Sequence, residues 1–358
     1  DVDIGGNKTV AVGRNALGGQ TGTTGDMNNV AVGYDAGKAV SIGIKNTLIG
    51  SQAADALTEG GFNAVLGAEA LTVDTKGSGS VAIGRAALES QNFTSATTTQ
   101  NVAVGNQAGL RNSTGTENTF IGGYAGRFAS TSIGSTFIGT EAGLGNDSAR
   151  LSGDDNTAVG RDAGHDLQGA ATNNTMLGSF AGQSVTTHAR NTMVGLSAGN
   201  ATNSSDNTFL GATAGADITT GDANTIVGRY NGNQGGLDIR ELSNNIVLSD
   251  GDGNPRLIID SSGTLAMTTT TRVATFKTNN SGGSQDVVNI GNLANAGYNA
   301  IRFWNQGPFT GSVIGSISCT TSSTAYNTSS DHRLKENVVY DWDATTRLKQ
   351  LKPARFNF

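Results

Sequence analysis

Proline occurs three times in 358 residues, cysteine once and tryptophan twice, and charged residues make up only 15% of the chain. Each scarcity removes a class of protein. A single thiol, Cys319, cannot build an intrachain disulfide framework. So few prolines exclude a polyproline spacer, and glycine without a strict three-residue period excludes collagen. No apolar run approaches the roughly 20 residues of a helical membrane span, so membrane insertion is not expected. The formal net charge of -6 argues against nucleic acid and anionic membrane as partners, because both demand a basic surface. The chain opens on Asp1 without a methionine, which reads as a piece or processed product of a longer protein.

Glycine is what the chain has in quantity. Its 52 residues are about twice the usual share, and many of them recur in register. Anchoring on one glycine gives "TVAVGRNAL" at Gly13, "NVAVGYDAG" at Gly33, "NTLIGSQAA" at Gly50, "NAVLGAEAL" at Gly67, "SVAIGRAAL" at Gly84 and "NVAVGNQAG" at Gly105. The series runs on through Gly122, Gly139, Gly160, Gly178, Gly195 and Gly211 to "NTIVGRYNG" at Gly228, thirteen units in all. Anchors are mostly 16 to 18 residues apart, and the wider gaps before Gly33, Gly105 and Gly160 read as loop insertions. A disordered Gly/Asn/Thr-rich spacer would not hold an aliphatic residue in one register thirteen times.

The columns of this repeat carry physical content. Val, Ile or Leu precedes every anchoring glycine, and Ala stands three residues after it in twelve units. These two columns are expected to fill the interior of a coil. Asn opens ten units, suiting a turn residue that can also stack with its neighbours as an amide ladder. The glycine marks a bend where a side chain would clash or φ must be positive. The two mixed polar positions after it predict a short strand with one face in water. Two residues before the glycine stand Phe120, Phe137, Met176, Met193, Phe209 and Ile226, with Ala, Leu or Val in the other units. A strand apolar on both faces is buried on both faces. This column is therefore expected to pack between copies of the chain about a three-fold axis.

The fold class expected is all-β: a homotrimeric parallel β-solenoid or β-roll of about 17-residue repeats over 1–232, forming a rod of roughly 60 Å at 4.8 Å per coil. The period fails after Gly232. Residues 233–270 read as a hairpin connector, 271–329 as a small antiparallel β-module, and 330–358 as a charged end with a short helical pattern in "ATTRLKQLK". The turn with Asp250, Asp252 and Asn254 has the look of a calcium loop but lacks a downstream bidentate Glu, so hairpin is the main reading and those three residues are weak ion candidates. No cofactor is expected.

The "NTxVGxxAG" units resemble the head repeats of trimeric autotransporter adhesins and, more closely, repeats in bacteriophage tail-fibre proteins. The resemblance covers residues 9 to about 232 and implies a trimeric rod. "SSDHRLKENV", with "LKQLKPARFNF" after it, resembles the start of the endosialidase-type intramolecular chaperone family, whose hallmark Ser-Asp followed by Arg-Leu-Lys is met by Ser330, Asp331, Arg333, Leu334 and Lys335. That resemblance implies a C-terminal segment that promotes trimer assembly, here truncated at 29 residues. It also implies cis-acting self-cleavage before Ser330, with Ser330 as nucleophile, Lys335 as general base and Asp331 or backbone N–H groups orienting the site. No activity on an external substrate is expected. Together the two resemblances imply a structural fibre of a phage virion, partnered by itself, by other tail proteins and by a host-surface receptor such as a glycan or outer-membrane component. The alternative is the head of a trimeric adhesin on a bacterial cell surface.

Overall fold

A computed structural model describes residues 8–20, 25–267, 298–304, 313–319 and 324–328. The chain divides into two compact units, Asp1–Val273 and Ala274–Phe358.

In the first unit every repeat contributes one three-residue strand. Each strand pairs in parallel with the same three positions of the next unit: Val10–Val12 with Val30–Val32, Thr119–Ile121 with Thr136–Ile138, Thr208–Leu210 with Thr225–Val227. The chain is thus an all-β parallel β-solenoid with repeats of about 17 residues. Among the described residues the one helical piece is a single 3-10 turn, Asp147–Ala149, inside an insertion.

The anchoring glycines turn the corner of each coil. Gly122 and Gly139 have φ of 136° and 133°, a region that side chains rarely enter. A methyl group on Gly122 would sit 2.4 Å from the Gly139 carbonyl oxygen, and one on Gly139 would sit 2.5 Å from that of Gly160. The glycines therefore stack backbone on backbone. Where the sequence predicts a half-exposed strand after the glycine, the structure has a tight turn. Its second residue is left-handed in twelve units, bulky Tyr124 (φ 62°) and Phe180 (φ 60°) included. Such a conformation costs about 1–2 kcal/mol per residue, and hydrogen bonds between coils hold it in place. The Glu141 N–H donates to the Gly123 carbonyl at 2.9 Å, and the Asp162 N–H to that of Thr140 at 3.1 Å.

One expectation is reversed. Phe120, Phe137, Met176, Met193, Phe209 and Ile226 lie inside the coil, fully buried by their own chain, so they offer no surface to another copy. The aliphatic residue before the glycine points outward instead, as at Val12, Leu66 and Leu210. The interior is filled by trading volume within a coil in some units and with the next coil in others, as where Gly37 and Gly109 make room for Leu48 and Phe120. Where Phe120, Phe137 or Phe209 enters the coil, the fourth residue after the anchor is Gly126, Gly143 or Gly215, and a methyl there would meet the ring at 2.4–2.6 Å. Where small Ala11 or Ala82 enters, the same place holds buried Leu17 or Leu88. Phe120 and Phe137 stack at a centroid distance of 5.6 Å. The expected interior Ala column, from Ala36 to Ala214, is buried. A further buried column, seven residues after the anchor and including Val40, Leu57, Leu167, Val185 and Ile218, is not among those expected from the sequence.

The asparagines form the amide ladder. The Asn174 backbone N–H and side-chain Nδ2 both donate to Asn156 Oδ1, at 3.2 and 3.0 Å, and Asn191 repeats the pattern on Asn174. Each Nδ2 also reaches a turn carbonyl, such as His188 from Asn174 at 2.9 Å. Ser80 breaks the series, and the insertion before Gly105 mends it. Gln91 donates to Ser80 Oγ at 2.9 Å and accepts from Asn101 Nδ2 at 2.9 Å.

The stack does not end where the sequence period ends. Ile246–Ser249 adds a fourteenth parallel rung, Ile246 to Leu248 pairing with Thr225 to Val227, so the first part of the expected connector belongs to the solenoid. Two antiparallel strands, Pro255–Ile259 and Leu265–Met267, then finish the sheet. In the second unit, Tyr298–Trp304, Val313–Cys319 and Thr324–Thr328 form a three-stranded antiparallel sheet.

Candidate functional site

Two features of the solenoid have chemistry left over after folding. The first is the outward face of the parallel sheet. It carries two columns, the residue before each glycine and the one three before it, and neither holds a charge in any of the fourteen rungs. The first column is Val, Ile or Leu throughout; the second is Val, Ile, Ala or Thr. Val12 is 52% exposed, Leu66 49% and Leu210 48%. The aliphatic column is unbroken from rung to rung, while threonine fills the second column in eight of the fourteen, and a continuous exposed aliphatic row of this kind is a candidate contact surface.

The second feature is a cluster on the turn wall, where successive coils bring Glu141 and Asp162 to the same position, two residues past the anchor. Gly143 and Gly145 donate from their backbone N–H groups to the Ala163 and His165 carbonyls at 2.9 and 2.8 Å, which fixes the two turns against each other. His165 rises beside them. Ligand atoms of Glu141, Asp162 and His165 all lie within 4.8 Å of one another, with His165 Nε2 at 3.7 Å from Glu141 Oε2. His165 Nδ1 lies 2.7 Å from Asp166 Oδ1, so its N–H donates to that carboxylate and Nε2 faces the cluster. None of the three is singled out by the sequence motifs, although the glycine-anchored register, followed across the 21 positions between Glu141 and Asp162, aligns those two carboxylates.

The weak ion candidates form a hairpin turn. Asp250 Oδ1 accepts from the backbone N–H groups of Asp252 and Asn254 at 3.1 and 2.9 Å, and Oδ2 accepts from Arg256 Nε at 2.9 Å. The Asn254 N–H and Arg256 hold the Asp250 carboxyl down at about 2. Asn254 turns its amide donor, not its oxygen, toward Asp250. A nearby recess of about 350 Å³ is lined by Asp217, Arg229, Asn231, Gln234 and Asp252. Its polar groups are partly spent on each other, Asn231 Nδ2 donating to Asp217 at 2.7 Å and Gln234 Nε2 to the Asp252 carbonyl at 2.7 Å.

Ser330, Asp331 and Lys335 lie outside the described residues, as does all of 330–358. Among the described residues no helix is long and apolar enough to cross a membrane. Compared with family models, curated proteins and solved structures, the chain matches none.

Proposed function

We propose that this chain is the shaft of a homotrimeric virion fibre that carries a phage to its host surface, with the segment from Ser330 onward promoting assembly and cutting itself away before Ser330. The single observation behind the reading is the outward aliphatic stripe. Fourteen rungs at about 4.8 Å make a face on the order of 60 Å long, aliphatic throughout in the column before the glycine and threonine in eight rungs of the column beside it. A continuous aliphatic column of that length flanked by threonine methyls is a surface that a partner can cover. A strand apolar on both faces needs cover on both faces, and the two covers are exchanged relative to the sequence expectation. Aromatic and Met side chains fill the coil, and the aliphatic column meets the other copies.

The Ser-Asp-x-Arg-Leu-Lys resemblance at 330–335 supports the phage assignment, and the net charge of -6 keeps nucleic acid out of it. The receptor is chosen by outward turns and inserted loops. The insertion at 90–100 contributes less of that surface than its length suggests, because Gln91, Phe93 and Thr99 turn inward and are buried.

Replacing Ile121 and Ile138 together by Asp tests the reading. Size-exclusion chromatography with light scattering should give a trimer mass for the wild-type chain and a monomer mass for the double variant, with an unchanged β-sheet circular dichroism spectrum. A wild-type chain that stays monomeric at micromolar concentration, or a double variant that stays trimeric, would overturn it.

A further inference from the structure

We propose that Glu141, Asp162 and His165 form a binding site for a divalent first-row transition cation, Zn²⁺ being the natural probe. The site stands independently of the fibre reading. One position, compared between two parts of the same solenoid, points to it.

In the coil at Gly33, the residues two and five past the anchor are Asp35 and Lys38, and Asn15 stands two past the preceding anchor. That trio is self-sufficient. Asn15 Nδ2 donates to Asp35 Oδ1 at 2.8 Å, and Lys38 Nζ donates to Oδ2 at 3.2 Å. In the coil at Gly160 the same three places hold Glu141, Asp162 and His165. The amide donor has become a second carboxylate, and the permanent cation has become an imidazole. Across the thirteen units this is the one place where successive coils both carry a carboxylate two past the anchor.

The local charges do not cancel. Glu141, Asp162 and Asp166 supply three negative charges, while the nearby cation Arg161 supplies one, leaving −2 with a neutral imidazole. Arg161 is drawn off to the Phe180 ring, 4.4 Å from its centroid, and lies 3.7 Å from Asp162. The Asp162 side chain is only 13% exposed, and among the described residues no N–H or O–H donates to its carboxylate. Its oxygens are not among the buried polar atoms that lack a partner, so they face solvent with no protein hydrogen bond to give up and are open to a cation arriving from that side.

The donor set decides the kind of cation. One imidazole nitrogen with two carboxylate oxygens suits zinc and its neighbours rather than calcium, which takes oxygen alone. Tetrahedral zinc with ligands at 2.0–2.1 Å sets them about 3.4 Å apart; His165 Nε2 and Glu141 Oε2 stand at 3.7 Å, and the full set, within 4.8 Å, closes on the metal by side-chain rotation. Asp166 on Nδ1 plays the part of the outer carboxylate that fixes the tautomer of a metal-bound imidazole. Water completes the shell on the exposed side.

The test is isothermal titration of the chelator-stripped full chain with Zn²⁺ at neutral pH. The expected result is one saturable site per chain. Affinity should fall at least ten-fold in each of the isosteric variants Glu141→Gln, Asp162→Asn and His165→Gln, and stay unchanged in His332→Gln. Circular dichroism melts of the same samples identify any variant that fails to fold, and the other two then carry the comparison. Absence of saturable binding in the wild-type chain would mean that His165 serves only as an ion-pair partner, and would overturn the proposal. Equal binding by wild type and His165→Gln would do the same.

Discussion

At the scale of single residues, the repeat is written mostly in backbone demands. The anchoring glycines are legible as such in the sequence: thirteen times over, a side chain is missing directly after an aliphatic residue, and backbone geometry is what such a gap serves. The asparagine ladder is equally legible, since an amide is both donor and acceptor and can bond the same residue in the coil above and below. The cation cluster is half legible: the glycine register aligns Glu141 with Asp162, but the approach of His165 to both appears only in the fold. Asp250 carries a test at this level. Its carboxyl sits at about 2 in the folded hairpin, against roughly 3.9 in an unfolded chain. A depressed value means that the ionised form stabilises the turn. That stabilisation is complete above about pH 5 and is lost as the pH falls through 4 toward 2. A proton-detected titration should find the Asp250 midpoint well below that of an exposed aspartate, and amide exchange at Asp252 and Asn254 should quicken over the same range. A midpoint near the ordinary carboxylate value would contradict the Arg256 and Asn254 contacts.

At the scale of the coil, two apolar columns are legible on each strand, and the one expected inside turns out to face outward. Alternation leans the right way, because the residue three before the anchor shares a face with the aliphatic column and is threonine in eight units, while the Phe and Met column is apolar in all thirteen. The deciding signal is present as volume. Phe120, Phe137 and Phe209 coincide with Gly126, Gly143 and Gly215 and Ala11 and Ala82 with Leu17 and Leu88, while Ala31, Ala103 and Ala158 coincide with Gly37, Gly109 and Gly164, whose space is taken by Leu48, Phe120 and Met176 of the neighbouring coil. Two positions that trade volume share one cavity. The outward column, Val, Ile or Leu in every unit, has no such partner position within the coil. Swapping one coil from the first solution to the second tests this. Phe137→Ala should cost about 3–5 kcal/mol through the cavity it leaves. Adding Gly143→Leu should recover a substantial part of that, because Leu17 and Leu88 already occupy the same left-handed position at φ 49° and 51°. Denaturant midpoints of the two variants and the wild type measure both effects. If the double variant is less stable than Phe137→Ala alone, the two sites do not share their volume.

At the scale of the whole molecule, uniformity creates an assembly problem. Stability in a stacked solenoid is close to a sum of nearest-neighbour terms, and the same economy applies between copies. The outward columns offer nearly the same Thr-or-Val and Val-Ile-Leu pattern at every one of fourteen rungs. Two chains that slip by one rung therefore keep thirteen of the fourteen contacts. Such a slip forfeits little apolar area, so the stripe can hold a trimer together without choosing its register. Something outside the solenoid has to start the three chains level, and a segment at one end that associates first would do it. This gives the Ser330–Phe358 region its role in the proposed fibre. Refolding the full chain and a chain ended at Ser329 from denaturant, side by side, separates the two jobs. The full chain should return a single trimer that resists dodecyl sulfate until boiled. The shortened chain should regain its β-sheet spectrum, since the coils need no partner to close, but give a broad distribution of masses with little resistant trimer. If both chains recover the same yield of resistant trimer, the register is set within the solenoid, and the unequal insertions before Gly33, Gly105 and Gly160 become the features that set it.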